Sequence, residues 1–439
     1  MKPVNIGLLG LGTVGQGVAN ILIRNANEIK RRTGRDIRVT RAAVRNQAKA
    51  EALNLGIDIT TDSQSLVTDP DIDIICEAMG GDEPALTLLH TALDNNKHII
   101  TANKALIAVH GNSLIDKARD HGVSVAFESS VAGGIPIIKA LREGLAANKI
   151  EWLAGIINGT GNFILSEMAE KGRTFEDVLA EAQALGYAEA DPTFDVEGID
   201  AAHKLTIMAS VAFGIPLSFN GVYTEGISKI SREDVEFAAE LGYCIKHLGV
   251  ARRRDDGVEL RVHPTLIPEK RLLANVNGVM NAVVVQGDAV GPTLYYGPGA
   301  GSEPTGSSLV ADIIDVVRGI DANMLHRVPT LGFQPDSIEP LNILKAADYQ
   351  AAFYLRLQAL DKPGVMATVT GIFGELGISI EAILQKESDG HAVDPAMCTV
   401  PIILLTGSVK EGLIDQAIER VQALETVVEP VTRIRVETL

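Results

Sequence analysis

The segment 186–204 concentrates side chains suited to proton transfer and to binding a charged substrate. Its acidic residues include Glu189, Asp191, Asp195 and Asp200. Because Asp191 precedes a proline, helix is disfavoured there, and we expect the first acids to lie in a loop. Asp200 and Lys204 are four residues apart, so a helix over 198–213 places them on one face.

Lys204 is the residue of this segment best suited to exchange a proton. It is followed by Leu-Thr-Ile-Met-Ala, which is apolar on most faces and indicates a largely buried helix. Burial favours the neutral form of a lysine, whereas Asp200 favours its charged form. Such competing influences suit a general acid–base group working near neutral pH. The alternative is an ordinary salt bridge on a helix surface.

A glycine-rich turn follows the first predicted strand, Val4–Leu9, and reads Gly10-Leu11-Gly12-Thr13-Val14-Gly15. Between a strand and a helix this pattern is typical of dinucleotide binding. Gly10 makes the tight turn, Gly12 lets the backbone approach a pyrophosphate, and Gly15 permits close helix packing. The alternative is a glycine-rich turn that binds no ligand.

Arg45 follows the second predicted strand, where NAD-specific sites usually carry an acid. A guanidinium at this position can pair with a 2′-phosphate, so NADP is favoured and NAD stays possible. The alternative is a solvent-facing charge.

Lys104 follows the predicted strand His98–Thr101. Ligands of parallel sheets bind beyond the carboxyl ends of the strands. We therefore expect Lys104 to face the cofactor or a substrate carboxylate, and we include it among both the catalytic and the cofactor-binding residues. By default an isolated lysine is a surface charge.

The order of elements predicts an α/β protein of three parts. Strands and helices alternate over 1–130, which indicates a doubly wound parallel sheet of Rossmann type. Residues 131–301 are typical of an α+β domain, 326–348 of a proline-bearing linker, and 349–439 of a ferredoxin-like βαββαβ domain. Three of the predicted helices are Val14–Arg31, Asn112–Asp120 and Arg232–Leu248.

Composition narrows the class of protein. The formal net charge of -17 does not favour nucleic-acid binding. We see no signal peptide and no apolar run near the ~20 residues that span a membrane. The three separated cysteines are expected to be reduced, so we predict a cytoplasmic protein without membrane partners.

The chain resembles homoserine dehydrogenases over essentially its whole length. Gly198-Ile-Asp-Ala-Ala-His-Lys204 is the most distinctive match. The other matching stretches are 10–15, 101–106, 128–136, 158–160, 186–197 and 299–301. The resemblance implies reversible, NADP-dependent interconversion of L-homoserine and L-aspartate 4-semialdehyde in threonine, methionine and isoleucine biosynthesis. It also implies that Lys204 donates the proton, Asp200 holds the substrate and Glu189 binds its ammonium group.

Two further sites are implied by the same resemblance. Glu128, Val131, Gly133 and Ile135 would bind a monovalent cation, Na⁺ or K⁺, since oxygen ligands suit an alkali metal. The alternative for this loop is a plain glycine-rich turn. Gly301 would line the nicotinamide pocket, and a helix over about 302–325 would return to the cofactor domain.

The C-terminal part looks like an ACT domain, a module that binds small amino acids at paired interfaces. By analogy we expect L-threonine as the effector, and a homo-oligomer, either dimer or tetramer. The alternative is a dimerisation module without a ligand. Since this part follows a linker, removing it should leave a competent core. For the whole chain, the alternatives are another NADP-linked amino acid semialdehyde oxidoreductase or a non-enzymatic amino-acid sensor.

Overall fold

The computed structural model describes residues 2–322, 327–386 and 398–439 and contains two large sheets. The first has six strands in the order β3-β2-β1-β4-β5-β6, all parallel. This is the doubly wound Rossmann order. Its strands are β1 (Val4–Leu9), β2 (Ile37–Ala43), β3 (Asp58–Thr60), β4 (Ile74–Glu77), β5 (His98–Thr101) and β6 (Val125–Ala126). Its helices are α1 (Thr13–Arg24), α2 (Ala26–Thr33), α3 (Gln47–Glu51), α4 (Ser63–Val67), α5 (Ala85–Asp94) and α6 (Lys104–Asp120).

The middle of the chain adds further strands and helices, and two of these helices carry the acids Asp195 and Asp200. The helices are α7 (Ile137–Lys139), α8 (Gly159–Lys171), α9 (Phe175–Ala184), α10 (Thr193–Val196), α11 (Ile199–Phe213) and α12 (Arg232–Glu240). The strands are β7 (Ile150–Ile156), β8 (Tyr223–Thr224), β9 (Tyr243–Arg254), β10 (Gly257–Pro268), β11 (Met280–Gly287) and β12 (Gly291–Pro298). Helix α11 is buried along nearly all of its length, which fits its apolar composition.

The long helix α13 (Ser302–Ala322) packs on the first sheet. Its buried residues Leu309, Val310 and Ile313 belong to the same core as β1 and α1. The approach to α1 is close, because a Cβ on Gly17 would lie 2.1 Å from the Ser302 carbonyl oxygen.

The C-terminal part has the predicted βαββαβ order. It comprises β13 (Gln350–Leu360), α14 (Val365–Glu375), β14 (Ile380–Gln385), β15 (Thr399–Thr406), the short β16 (Val409–Lys410), α15 (Glu411–Gln422) and β17 (Thr432–Val436). The strand order β17-β13-β15-β14 places the first and last strands side by side. The predicted fold class is therefore confirmed, although Met397, the predicted start of one strand, lies outside the described residues.

The two halves of the second sheet are continuous, which the sequence did not indicate. Strand β17 pairs in parallel with β10 of the middle part and antiparallel with β13. The result is one eleven-stranded sheet that crosses from the middle of the chain into the C-terminal part. No helix among the described residues is long and apolar enough to cross a membrane.

Three predicted helices are wrong in extent. The helix predicted over 14–31 breaks at Asn25, a residue whose side chain competes for backbone hydrogen bonds. The one predicted over 232–248 ends near Gly242, which adopts a positive φ of 79°, and the chain then enters β9. The helix predicted from Asn112 begins at Lys104, capped by the Asn103 side chain.

Candidate active site

The centre of the site is a buried carboxylate held between two lysines. Asp200 lies in the first turn of α11, and its side chain is only 5% exposed. Its Oδ2 lies 2.6 Å from Lys204 Nζ, and its Oδ1 lies 2.9 Å from Lys104 Nζ. Lys204 Nζ also donates to the Ile157 carbonyl at 2.7 Å. Residues from three separate stretches of sequence are thus brought to one point.

The two lysines have different electrostatic surroundings. Burial lowers the pKa of Lys204, and Asp200 only partly opposes this. Burial also acts on Lys104, but Asp200, Asp195 and Glu189 outweigh it and raise the pKa of that lysine. The pKa of Asp200 is lowered, because its two lysine partners outweigh the effect of its burial. Lys204 is therefore the group better suited to release a proton, and Lys104 the one better suited to remain a cation.

Asn158 and Asp195 complete this cluster; Asp195 belongs to the acidic segment 186–204, but neither residue is among the predicted site residues. Asn158 Nδ2 donates to Asp195 Oδ1 and to Asp200 Oδ2, both at 2.8 Å. The Asn158 side-chain oxygen caps α8 by accepting from the Gly161 amide. Burial raises the pKa of Asp195. Asp195 lies in the one-turn helix α10 and not in an open loop.

The buried Glu77 at the end of β4 connects Lys104 to the nucleotide side of the sheet. It accepts the Thr101 hydroxyl and the backbone amides of Met79 and Gly80. The Thr101 hydroxyl oxygen in turn accepts from the amide of Asn103, the cap residue before Lys104. Glu77 directly follows Ile72–Cys76, a run that predicts a strand, so an acid at the end of a strand was the signal that the sequence offered.

An aromatic stack lies beside the lysines. His203 is sandwiched between Phe219, with ring centroids 4.1 Å apart, and Phe194, at 5.5 Å. The Lys104 ammonium lies 5.4 Å from the centre of the Phe194 ring. These rings give the cluster an apolar wall and limit its contact with water.

A cavity of about 730 Å³ lies beyond the carboxyl ends of β1, β2 and β4. It is lined by Gly10, Leu11, Gly12, Thr13, Gln16, Val44, Arg45, Asn46, Gly80 and Glu83, among others. Gly10 has a positive φ of 94°. A Cβ on Gly12 would meet no atom within 4 Å, whereas one on Gly15 would clash with the Gly10 carbonyl at 2.2 Å. The open space over Gly12 at the start of α1 fits a dinucleotide pyrophosphate.

The loop after β4 lies between this cavity and the lysine cluster. Gly80 and Glu83 line the cavity, while the Gly81 carbonyl accepts from Asn103 Nδ2 at 2.7 Å. Since Lys104 follows Asn103 directly, this loop connects the lining of the cavity to the lysine cluster.

Comparison with known proteins shows which family this chain resembles. Residues 10–128 match the family model for the NAD-binding domain of homoserine dehydrogenase, and 136–314 match the homoserine dehydrogenase model. Residues 353–425 match the ACT domain model. A homoserine dehydrogenase from Pseudomonas aeruginosa is 61% identical over 439 residues, which is 100% of both chains.

The chain belongs to the homoserine dehydrogenase family. It is therefore an NAD(P)-dependent oxidoreductase with a C-terminal ACT domain. The crystal structure of a homoserine dehydrogenase from Thiobacillus denitrificans is 60% identical, with a TM-score of 0.95, and covers 100% of this chain and 99% of that one. A hyperthermophilic archaeal homoserine dehydrogenase solved with NADPH is 27% identical, with a TM-score of 0.62, over 72% of this chain and 98% of that one.

Within this homoserine dehydrogenase fold, the predicted site residues fall into four places. Lys104, Asp200 and Lys204 meet at the cluster, and Glu189 is exposed near it, close enough to raise the pKa of Lys104. Gly10, Gly12, Thr13 and the exposed Arg45 line the nucleotide cavity, whereas Val14 and Gly15 lie outside its lining. Gly301, with a φ of 131°, precedes α13, whose first residue Ser302 donates its hydroxyl to the Thr13 carbonyl at 2.6 Å.

The fourth place is the segment predicted to bind a cation. Both Glu128 carboxylate oxygens accept backbone amides, from Ile138 and Lys139, at 2.8 Å. Burial, assisted by the nearby Asp312, raises the pKa of Glu128 to about 7. The Gly133 carbonyl accepts the Ser308 hydroxyl at 2.7 Å. Carboxylate and carbonyl oxygens have more than one lone pair, so these groups keep capacity for an alkali cation.

Val131 and Ile135 are buried beside Glu128 in the same short segment. Within the described ranges, there is no group of three or more His, Cys, Asp or Glu side chains that could hold a metal ion. The donor chemistry of the segment is that of oxygen alone, which suits Na⁺ or K⁺.

Proposed function

We propose that this chain interconverts L-homoserine and L-aspartate 4-semialdehyde with NADP(H). The observation that carries the proposal is the placement of Asp200 between Lys104 and Lys204, one loop away from the dinucleotide cavity. A charged amino acid with a reacting hydroxyl or aldehyde needs both fixed charges and one transferable proton. The cluster supplies these beside the place where the nicotinamide would lie.

Each residue of the cluster has a role that follows from its surroundings. The bound cofactor supplies or accepts the hydride. Lys204 moves the proton: neutral Nζ takes it from the homoserine hydroxyl, and charged Nζ returns it to the aldehyde oxygen. Asp200 and the exposed Glu189 bind the substrate ammonium or hydroxyl group. Lys104 remains charged and orients the substrate, with its carboxylate as the natural partner.

The decisive experiment is an absorbance assay for NADPH formation with L-homoserine as the substrate. We expect turnover with homoserine and its reversal with L-aspartate 4-semialdehyde. Other amino alcohols of similar size, such as L-serine and L-threonine, serve as controls. Turnover of a different semialdehyde together with inactivity toward homoserine would favour the alternative oxidoreductase, and inactivity with every substrate would favour a sensor.

We also propose that the Glu128 segment, with carbonyls of Val131, Gly133 and Ile135, binds Na⁺ or K⁺. The support is an all-oxygen donor set in a buried segment. Adding NaCl or KCl should raise the melting temperature more than choline chloride at equal ionic strength, because ligand binding stabilises the native state. Equal shifts with all three salts would contradict this.

L-Threonine is the proposed effector of the ACT domain, and a homo-oligomer the proposed assembly. The family match over 353–425 supports an amino-acid effector without naming it. Calorimetric titration of the whole protein with threonine, with serine and valine as controls, tests its identity. The cytoplasmic location stays a prediction.

A further inference from the structure

A short segment between two parts of the molecule contacts the turn that precedes the catalytic helix α11. We call residues 223–227 the strap. It begins with β8, which pairs in parallel with β10, and the Glu225 amide donates to the Val262 carbonyl at 2.8 Å. One side of the strap faces the C-terminal domain, and the other faces residues 195–198.

On the side of the C-terminal domain, the strap is held by an ion pair between the buried Arg435 and the half-buried Glu225. Arg435 of β17 is 1% exposed, and its Nη1 donates to Glu225 Oε2 at 2.8 Å. The other two guanidinium nitrogens, Nε and Nη2, donate to the two carboxylate oxygens of Glu411, the first residue of α15. The Tyr223 hydroxyl also donates to Glu225, at 2.9 Å. Among the residues of these contacts, Glu225 is the one charged residue that belongs to the strap.

On the catalytic side, the strap touches the turn through backbone. The Ile227 amide donates to the Val196 carbonyl at 2.8 Å. A Cβ on Gly226 would lie 2.7 Å from Glu197 Cα, so the strap and the turn at 195–198 approach each other as closely as glycine permits. The Glu225 carbonyl lies 2.9 Å from His247 Nε2.

His247 extends this contact to the start of α11. A Cβ on Gly198, the residue that caps α11, would lie 3.0 Å from the His247 ring. Gly198 adopts a φ of 82°, which favours glycine. The turn therefore has little room to move unless the strap moves with it, and the turn carries Asp195 at one end and leads to Asp200 at the other.

We propose that Glu225 is a positioning residue for the reaction: its ion pair with Arg435 fixes the strap, and the strap fixes the turn that sets Asp195 and Asp200. The inference rests on the proposed function, because it concerns the same carboxylates. It assigns the C-terminal domain a direct part in the geometry of catalysis, through Arg435 and Glu411. The test separates positioning of these carboxylates from folding of the chain.

The experiment compares two isosteric substitutions at the same seam between β10 and β17. Glu225→Gln removes the charge that anchors the strap. Glu437→Gln is the control, because Glu437 is likewise a carboxylate paired with arginines, Arg252 of β9 and Arg261 of β10, and it is more deeply buried than Glu225, at 6% against 31% exposed. Misplacement of reacting groups by about 1 Å costs up to roughly 100-fold in rate. We expect Glu225→Gln to lower kcat for homoserine by about 10- to 100-fold, and Glu437→Gln to leave it within a few-fold of the parent.

Two further readouts distinguish positioning from a loss of structure. The KM for NADP should stay unchanged in Glu225→Gln, since the strap lies outside the lining of the nucleotide cavity. The pH at which kcat changes should also move to lower pH, because a displaced Asp200 supports the charged form of Lys204 less. Equal effects of the two glutamine substitutions on kcat, or a lower melting temperature without a change in kcat, would overturn the proposal.

Gly226→Ala provides a second variant if Glu225→Gln does not fold. It changes no charged residue and pushes the strap away from Glu197, so kcat should fall while NADP binding is retained. An unchanged kcat in this variant would contradict the proposal. If the unsubstituted enzyme fails to oxidise homoserine, the proposed function itself is wrong, and the comparison of variants then tests only the strap contacts through their effects on melting.

Discussion

At the scale of single residues, two lysines that share one carboxylate differ in their pKa. Lys204 is 12% exposed and Lys104 is 33% exposed, although both contact Asp200. Deeper burial therefore lowers the pKa of one lysine, while the acids around the other raise its pKa. The division of labour between proton transfer and charge binding follows from depth in the structure and not from residue type.

Replacing Lys204 with alanine should lower turnover by about 10²–10⁴-fold, the usual contribution of a general acid–base group. Lys246→Ala is a matched control, because burial lowers the pKa of Lys246 as well and its ammonium bonds to Val276 and Asn277. Steady-state kinetics and circular dichroism of both variants provide the measurement. Near-parental turnover in Lys204→Ala would remove it from the mechanism.

The two directions of the reaction should depend on pH with opposite signs. Oxidation of homoserine needs neutral Lys204, so its kcat should rise as pH increases through the lowered pKa of this lysine. Reduction of the semialdehyde needs the charged form, so its kcat should fall over the same range. Measuring both from neutral to alkaline pH tests this, and parallel profiles would contradict the assignment of the proton to Lys204.

At the scale of elements, the residues that follow the carboxyl ends of the parallel strands form the surface that faces the cofactor. Arg45 lies just after β2, at the edge of the cavity that begins with the turn after β1. The loop after β4 and the helix that begins at Lys104 complete the same edge. Each strand thus contributes a different part of the ligand-binding surface.

Arg45→Ala should weaken NADP binding and leave NAD binding nearly unchanged, because only NADP carries the 2′-phosphate. A charge-assisted hydrogen bond contributes about 1.5–3 kcal/mol, or roughly 10- to 150-fold in Kd. Fluorescence titration with both reduced cofactors measures this. Lys49, which also lines the cavity, offers a control through Lys49→Ala. Equal losses for NADPH and NADH in the Arg45 variant would show that it does not bind the phosphate.

At the scale of the whole molecule, the C-terminal domain shares one continuous sheet with the middle part of the chain. Arg261 of β10 is fully buried and is paired with Glu437, while Tyr349 packs over its guanidinium at 5.5 Å. Strand β17 also covers an edge of β10. The expectation that removal of residues 349–439 leaves an independent core is therefore not supported by the structure.

Deleting residues 349–439 should destabilise the remaining chain. Breaking a buried ion pair typically costs about 3–5 kcal/mol, a large part of the roughly 5–15 kcal/mol that stabilises a typical protein. The uncovered edge of β10 should also promote association. Thermal unfolding and light scattering of the truncated chain provide the test. A soluble truncation that is active and melts within a few degrees of the full chain would show that the pairing of β17 with β10 is not needed for stability.

The sequence by itself determined the local features of this protein. The glycine-rich turn, Arg45 and the helix that carries Asp200 and Lys204 are encoded by neighbouring residues, whose spacing fixes which side chains share a turn or a face. The βαββαβ order of the C-terminal part followed from its alternating apolar pattern for the same reason. Here local preference and the final structure agree.

Only the tertiary structure decided which distant residues meet. Lys104, Asn158 and Asp200 are far apart in the chain, and the pairing of β17 with β10 joins parts that a linker seemed to separate. Strand β9 shows the same limit: the helix predicted over 232–248 covers its first six residues, but pairing with β7 and β10 provides hydrogen bonds and burial that outweigh local preference. Contacts of this kind depend on the packing of whole elements, which no short pattern of residues encodes.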